Sequence, residues 1–130
     1  PRRRVIMLSH LGRHSALQDG AAASLDFLRQ GYGCEPSDLA VWLSPSVAQS
    51  SYRLDCFDKS DHPAWRPFCQ EGDNGVYLDL SGFIRQQLIN GGVRAEAIAV
   101  SGVDTATDPG YPSHVRGDAA RFGVAVMLRP

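Results

Sequence analysis

Four short apolar runs, residues 5–8, 39–43, 97–100 and 123–128, alternate with stretches of helical spacing and turn chemistry. This alternation restricts the fold more than any other feature. Each run is too short for a helix, and a continuous apolar run of that length is what a strand buried on both faces presents. Between the first two runs, Leu17, Ala21, Leu25 and Leu28 recur at helical spacing from about Ser15, and Gly31 and Gly33 supply a stop. The spacing therefore predicts a strand-helix-strand unit in which Val5-Ile6-Met7-Leu8 runs parallel to Leu39-Ala40-Val41-Trp42-Leu43. A second helix is expected after a cap at Asp79 or Ser81, with Phe83, Ile84 and Leu88 on its apolar face and Asn90-Gly91-Gly92 as its end. The expected fold class is α/β: one domain over residues 1–130, a mixed sheet with flanking helices.

The middle of the chain is less regular. A short strand is expected at Tyr52-Arg53-Leu54, and Val76-Tyr77-Leu78 reads as extended. From Cys56 to Gly75, aspartates and prolines alternate with Trp65 and Phe68, which reads as a long loop pinned by its aromatics.

Charge and cysteine usage limit the partners. The formal charge of −1 leaves no basic footprint for a phosphate backbone, so no nucleic-acid partner is expected, and Arg2-Arg3-Arg4 reads as a solvated tail. No run approaches the roughly 20 apolar residues of a membrane span. Cys34, Cys56 and Cys69 are odd in number and widely spaced, and no export signal precedes the first run; reduced thiols and a cytoplasmic location are the expectation.

Residues 101–121 concentrate the groups that bind or react: Asp104, Thr105, Thr107, Asp108, Ser113, His114, Arg116 and Arg121. Such groups act most often from loops held by a rigid scaffold. Imidazoles titrate near neutrality, so His114 is a candidate acid or base. Arg116 and Arg121 can hold an anionic or planar ligand by their fork of donors, and the aspartates of the loop read as their ion-pair partners. His10 and His14 have the His-x-x-x-His spacing of a metal pair, without a glutamate between them or a third ligand near in sequence.

Several of these segments, taken in order, resemble the C-terminal half of the YfiH-like laccase-domain family. They are His10-Leu11-Gly12, Glu35-Pro36-Ser37-Asp38-Leu39, Ser44-Pro45-Ser46-Val47 with Ser51-Tyr52, Tyr77-Leu78-Asp79-Leu80, Asp104-Thr105, and Ser113-His114-Val115-Arg116 with Arg121. The family is described both as multicopper polyphenol oxidoreductases and as zinc-dependent purine nucleoside phosphorylases and adenosine deaminases. The resemblance implies a metal held by two histidines and a cysteine, of which only one maps here, onto His10. Arg13-His14-Ser15 stands where the family has Trp-Arg-Gly, Ser44 where it has Gly, Asp104 where it has Cys, and Val115 where it has one Arg of a pair. A catalytic zinc normally has three protein ligands and an open position. The resemblance therefore implies a truncated family domain that binds a purine nucleoside-like small molecule without the family's catalysis. In that reading His10 and His114 are the catalytic candidates and Thr105, Ser113, Arg116 and Arg121 bind the ligand; His14, from its spacing to His10, is the candidate second ligand for a zinc. A zinc-dependent nucleoside enzyme is the alternative, and a small homo-oligomeric interaction protein a further one. Loss of half a domain would bare an apolar face, so a homodimer is expected.

Overall fold

Backbone pairing divides between two sheets. The computed structural model describes residues 4–128, so Arg2 and Arg3 of the basic cluster lie outside the described residues. By density of contacts the chain forms two units, and the division falls inside a helix. The first comprises the chain up to Leu43, the segment Ile84–Val100 and the segment from Gly123 onward.

In the first unit, α1 (Arg13–Leu17) and α2 (Gly20–Tyr32) stand where the sequence predicts one helix. The break lies at Asp19, which adopts a left-handed conformation with φ of 54°. Aspartate tolerates that region better than most residues, and Asp19-Gly20 is a turn dipeptide. The far end behaves as expected. Gly33 takes φ of 61°, its N–H reaches the Arg29 carbonyl, and the Cys34 N–H reaches that of Leu28, so a glycine closes the helix by capping its last carbonyls.

β1 (Val41–Leu43) pairs in parallel with β5 (Ile98–Val100), Val41 opposite Ile98 and Leu43 opposite Val100. The predicted pairing of β1 with residues 5–8 is not formed. Among the described residues neither 5–8 nor 123–128 is a strand. A strand exists only where a neighbour supplies the other half of a hydrogen-bond ladder, and no ladder reaches these segments. Their side chains are correspondingly exposed rather than buried, Leu8 at 58% and Met127 at 83%. The core of this unit is instead mostly helical: Ala16, Ala21, Leu25, Ile84 and Leu88, joined by Val93 from a connecting turn and Ile98 from β5.

The second unit runs from Ser44 to Phe83 and from Ser101 to Phe122. β2 (Arg53–Leu54), β3 (Cys69–Gly72) and β4 (Gly75–Leu78) form an antiparallel sheet in the order β2-β4-β3. The expected loop from Cys56 to Gly75 thus ends in a strand and a hairpin. Gly72 pairs with Gly75 across Asp73-Asn74, and the positive φ of the turn, 136°, falls on Gly75. A Cβ there would lie 2.2 Å from the Leu54 carbonyl oxygen, so only glycine fits. Leu78 is fully buried at 0% exposure, and Trp65 stacks on Phe83 with ring centroids 3.4 Å apart, while Phe57 and Phe68 meet that pair edge-on.

α3 (Leu80–Asn90) begins at the expected cap, with the Asp79 carboxylate accepting the Gly82 N–H at 2.8 Å. The α/β class therefore stands, with both parallel and antiparallel pairing present. The two kinds of pairing occupy separate sheets.

Candidate functional site

The loop from Asp104 onward leaves β5 by way of Ser101 and has almost no regular structure, yet its polar groups are densely partnered. Two carboxylates and one guanidinium organise it. The Asp104 carboxylate accepts the Ser51 hydroxyl at 2.6 Å, the Ala106 N–H at 3.0 Å and the Ala48 N–H at 3.1 Å. Its backbone bridges to Ser46, and the Thr105 N–H donates to the Ser46 carbonyl at 3.0 Å. Burial pushes this carboxyl up, but the Ser51 hydroxyl and the two N–H groups outweigh it and hold it below the ordinary carboxylate value.

Arg116 acts at the other end. Its guanidinium donates to the carbonyls of Thr105, Ala106, Asp108 and Tyr111 and to the Asp118 carboxylate, the last two at 2.6 Å. Asp118 in turn accepts the Ser113 N–H at 2.8 Å. That N–H and the Arg116 guanidinium lower the Asp118 carboxyl, with a further pull from Arg121. A fork of donors placed among four carbonyls fixes the path of the chain as a side-chain staple.

Of the residues that sequence reasoning selected, Thr105, Ser113, His114, Arg116 and Arg121 fall in this loop. Thr105 and Ser113 are buried, at 5% and 3% exposure. Arg116 is committed to the loop itself. Arg121 donates to the carbonyls of Asp118, Ala119 and Ala120, and its guanidinium lies 3.4 Å from Nδ1 of the exposed His114. Tyr111 and Phe122 meet edge-on at 5.3 Å beside them. Among the described residues only Asp118 of the three aspartates pairs with an arginine. Asp108 instead accepts the Gly110 N–H at 2.8 Å, and Asp104 accepts from N–H and hydroxyl donors. The sequence does carry that signal: an aspartate two residues before the N–H it accepts is an Asx turn, as at Asp104 with Ala106 and Asp108 with Gly110.

His10 and His14 belong to the first unit, both exposed, His14 on α1. Nε2 of His10 lies over Gly12, where a Cβ would come within 3.2 Å of it. Among the described residues no three His, Cys, Asp or Glu side chains converge as a metal site requires. The three cysteines are free.

The profile of a protein family described as multi-copper polyphenol oxidoreductase laccase matches residues 1–129. The chain belongs to this laccase-domain family. The donor set among the described residues does not fit the metal that the family's description implies, since His10 lacks two companion ligands. Two solved structures are similar to this laccase-domain chain. The hypothetical protein YfiH of Bacillus licheniformis is 23% identical with a TM-score of 0.66, the match covering 75% of this chain and 39% of that one. YlmD of Geobacillus stearothermophilus is 25% identical with a TM-score of 0.68, covering 78% and 40% respectively. The chain thus spans about two-fifths of the length of the structures it matches. No curated protein matches it. No helix among the described residues is long and apolar enough to cross a membrane.

Proposed function

We propose that this laccase-domain chain binds a small planar ligand of the purine nucleoside kind at the loop between Thr105 and Phe122. The observation that carries the reading is the state of Arg116. Five acceptors hold its guanidinium, so the loop has a fixed shape before any ligand arrives, and a preorganised loop binds without an ordering cost. His114, Arg121 and Phe122 offer flat groups at the exposed surface of that loop, and an aromatic base stacks on such groups. Arg116 acts as a positioning residue in this reading, with His114 and Arg121 as contacts. Thermal unfolding with adenosine or inosine tests it. Saturable stabilisation that His114→Ala and Arg121→Ala each weaken supports the reading, and equal shifts in all three proteins reject it.

Family membership favours a second reading, metal-dependent turnover of a purine nucleoside. Chromatography of adenosine and inosine incubated with the protein, zinc and phosphate separates the two. Product that vanishes in His10→Ala supports turnover, and intact nucleoside in both leaves binding as the activity. The homodimer belongs to the same proposal. Ile6, Met7 and Leu8, with Val126, Met127 and Leu128, leave apolar side chains exposed on the first unit, and such patches favour association.

A further inference from the structure

A cavity of about 270 Å3 opens in the second unit, lined by Ser60, Asp61, Arg66, Cys69 and Glu71. None of these residues belongs to the loop between Thr105 and Phe122. Local structure explains the lining. β3 is an edge strand with β4 on one side only, and strand alternation sends Cys69 and Glu71 to one face and Gln70 to the other. The segment before β3 folds back through successive turns, with the Ser60 N–H on the Phe57 carbonyl at 3.0 Å and the Arg66 N–H on the His62 carbonyl at 2.9 Å. Phe57 and Trp65 are buried and meet edge-on at 5.2 Å. Ser60 and Asp61 lie between these two anchors and Arg66 directly follows the second, so packed rings hold the rim in place.

The polar ends around this cavity do not neutralise one another. Arg66, Asp61, Glu71, Ser60 and Cys69 have no side-chain hydrogen bond or ion pair among the described residues. Asp61, Cys69 and Glu71 do not form a group of metal ligands either. Charges of both signs stand around one cavity, too far apart to pair, and suit a ligand that carries both signs. Burial pushes the Cys69 thiol up, which keeps it a neutral part of the wall. One guanidinium and two carboxylates leave the lining with an excess of negative charge. Cavities for drug-sized ligands begin at about 300 Å3, so this volume limits the occupant to a small metabolite.

We propose that the cavity binds a free basic α-amino acid, with its α-carboxylate on the Arg66 fork and its two cationic nitrogens shared between Asp61 and Glu71. The fork suits a carboxylate because two parallel N–H donors match its two oxygens. The two carboxylates select for a second positive charge on the ligand.

Titration calorimetry of the whole protein tests this, with L-lysine, L-lysine methyl ester and 6-aminohexanoate as probes. L-lysine is expected to bind saturably. The ester, which lacks the carboxylate charge, and 6-aminohexanoate, which lacks the α-ammonium, should each bind about tenfold or more weakly, the loss that follows one charge-assisted hydrogen bond. R66Q should weaken L-lysine by a similar factor and abolish the difference between lysine and its ester, and E71Q should weaken L-lysine while keeping that difference. Neither substituted side chain has a partner among the described residues, and the ester comparison needs no variant. Absence of saturable heat with L-lysine, or equal affinity for lysine and ester on the unsubstituted protein, overturns the proposal.

Discussion

Asp104 and Arg116 each do with one side chain what a strand or helix does with a ladder, and their removal has different expected signatures. Asp104→Ala leaves the Ala48 and Ala106 N–H groups and the Ser51 hydroxyl without their acceptor. Because these donors are only part-buried, the expected loss of stability is about 1–2 kcal/mol, read from denaturant midpoints. Arg116→Ala releases four carbonyls, and exchange of the amides around Thr107 and Tyr111 should quicken well before global unfolding. Arg116→Lys keeps the charge without the fork, so it should restore little of that protection. Both carboxyls, Asp104 and Asp118, are held below the ordinary value in the folded chain. The unfolded chain therefore binds the more protons between the two values, and stability rises with pH through that window. Their contribution is complete above the ordinary carboxylate value of about 3.9 and is lost as pH falls through the depressed folded values. An Asp104→Asn, Asp118→Asn double variant should show a flatter decline of the urea midpoint between about pH 5 and pH 3; a slope equal to that of the parent rules these two groups out as its source.

At the scale of elements, the reading from sequence succeeds where local chemistry decides and fails where partners decide. Gly33 ends α2 and Asp79 begins α3 because capping needs only the neighbouring residues. Residues 5–8 and 123–128 have the composition of strands, but pairing depends on a distant neighbour that composition does not encode, and no neighbour among the described residues supplies one. The hairpin between β3 and β4 reads as loop from sequence, because the prolines and aspartates before it mask the turn signal of Asp73-Asn74-Gly75. The loop residues were recognisable as a group from their types, whereas the commitment of Arg116 to carbonyls was not. A guanidinium on backbone oxygens leaves no mark at the positions that provide them. Trp65 is the residue on which the irregular segment before β3 depends, since it touches Phe57 and stacks on Phe83. Trp65→Ala is expected to cost about 3–5 kcal/mol in equilibrium unfolding, whereas Trp65→Phe, which keeps the stacked ring, should cost less than half of that loss.

For the molecule as a whole, exposed apolar side chains on residues 6–8 and 126–128, together with Trp42 at 54% exposure, argue for association in solution. Sedimentation velocity at micromolar concentration is expected to give the mass of a dimer, and Leu8→Glu with Met127→Glu should shift it to that of a monomer; a monomer in the parent protein removes the dimer from the proposal. Shared membership of the laccase-domain family carries a fold and a family description, while the ligands proposed for the loop and for the edge-strand cavity are argued from this chain's own residues. The Arg116 staple has a consequence for how that chemistry can change. Its donors address main-chain oxygens at Thr105, Ala106, Asp108 and Tyr111, atoms that every amino acid possesses. The exposed side chains around them can therefore be exchanged by mutation without redrawing the loop, so the surface it presents can vary while its contour, held through Arg116, stays the same.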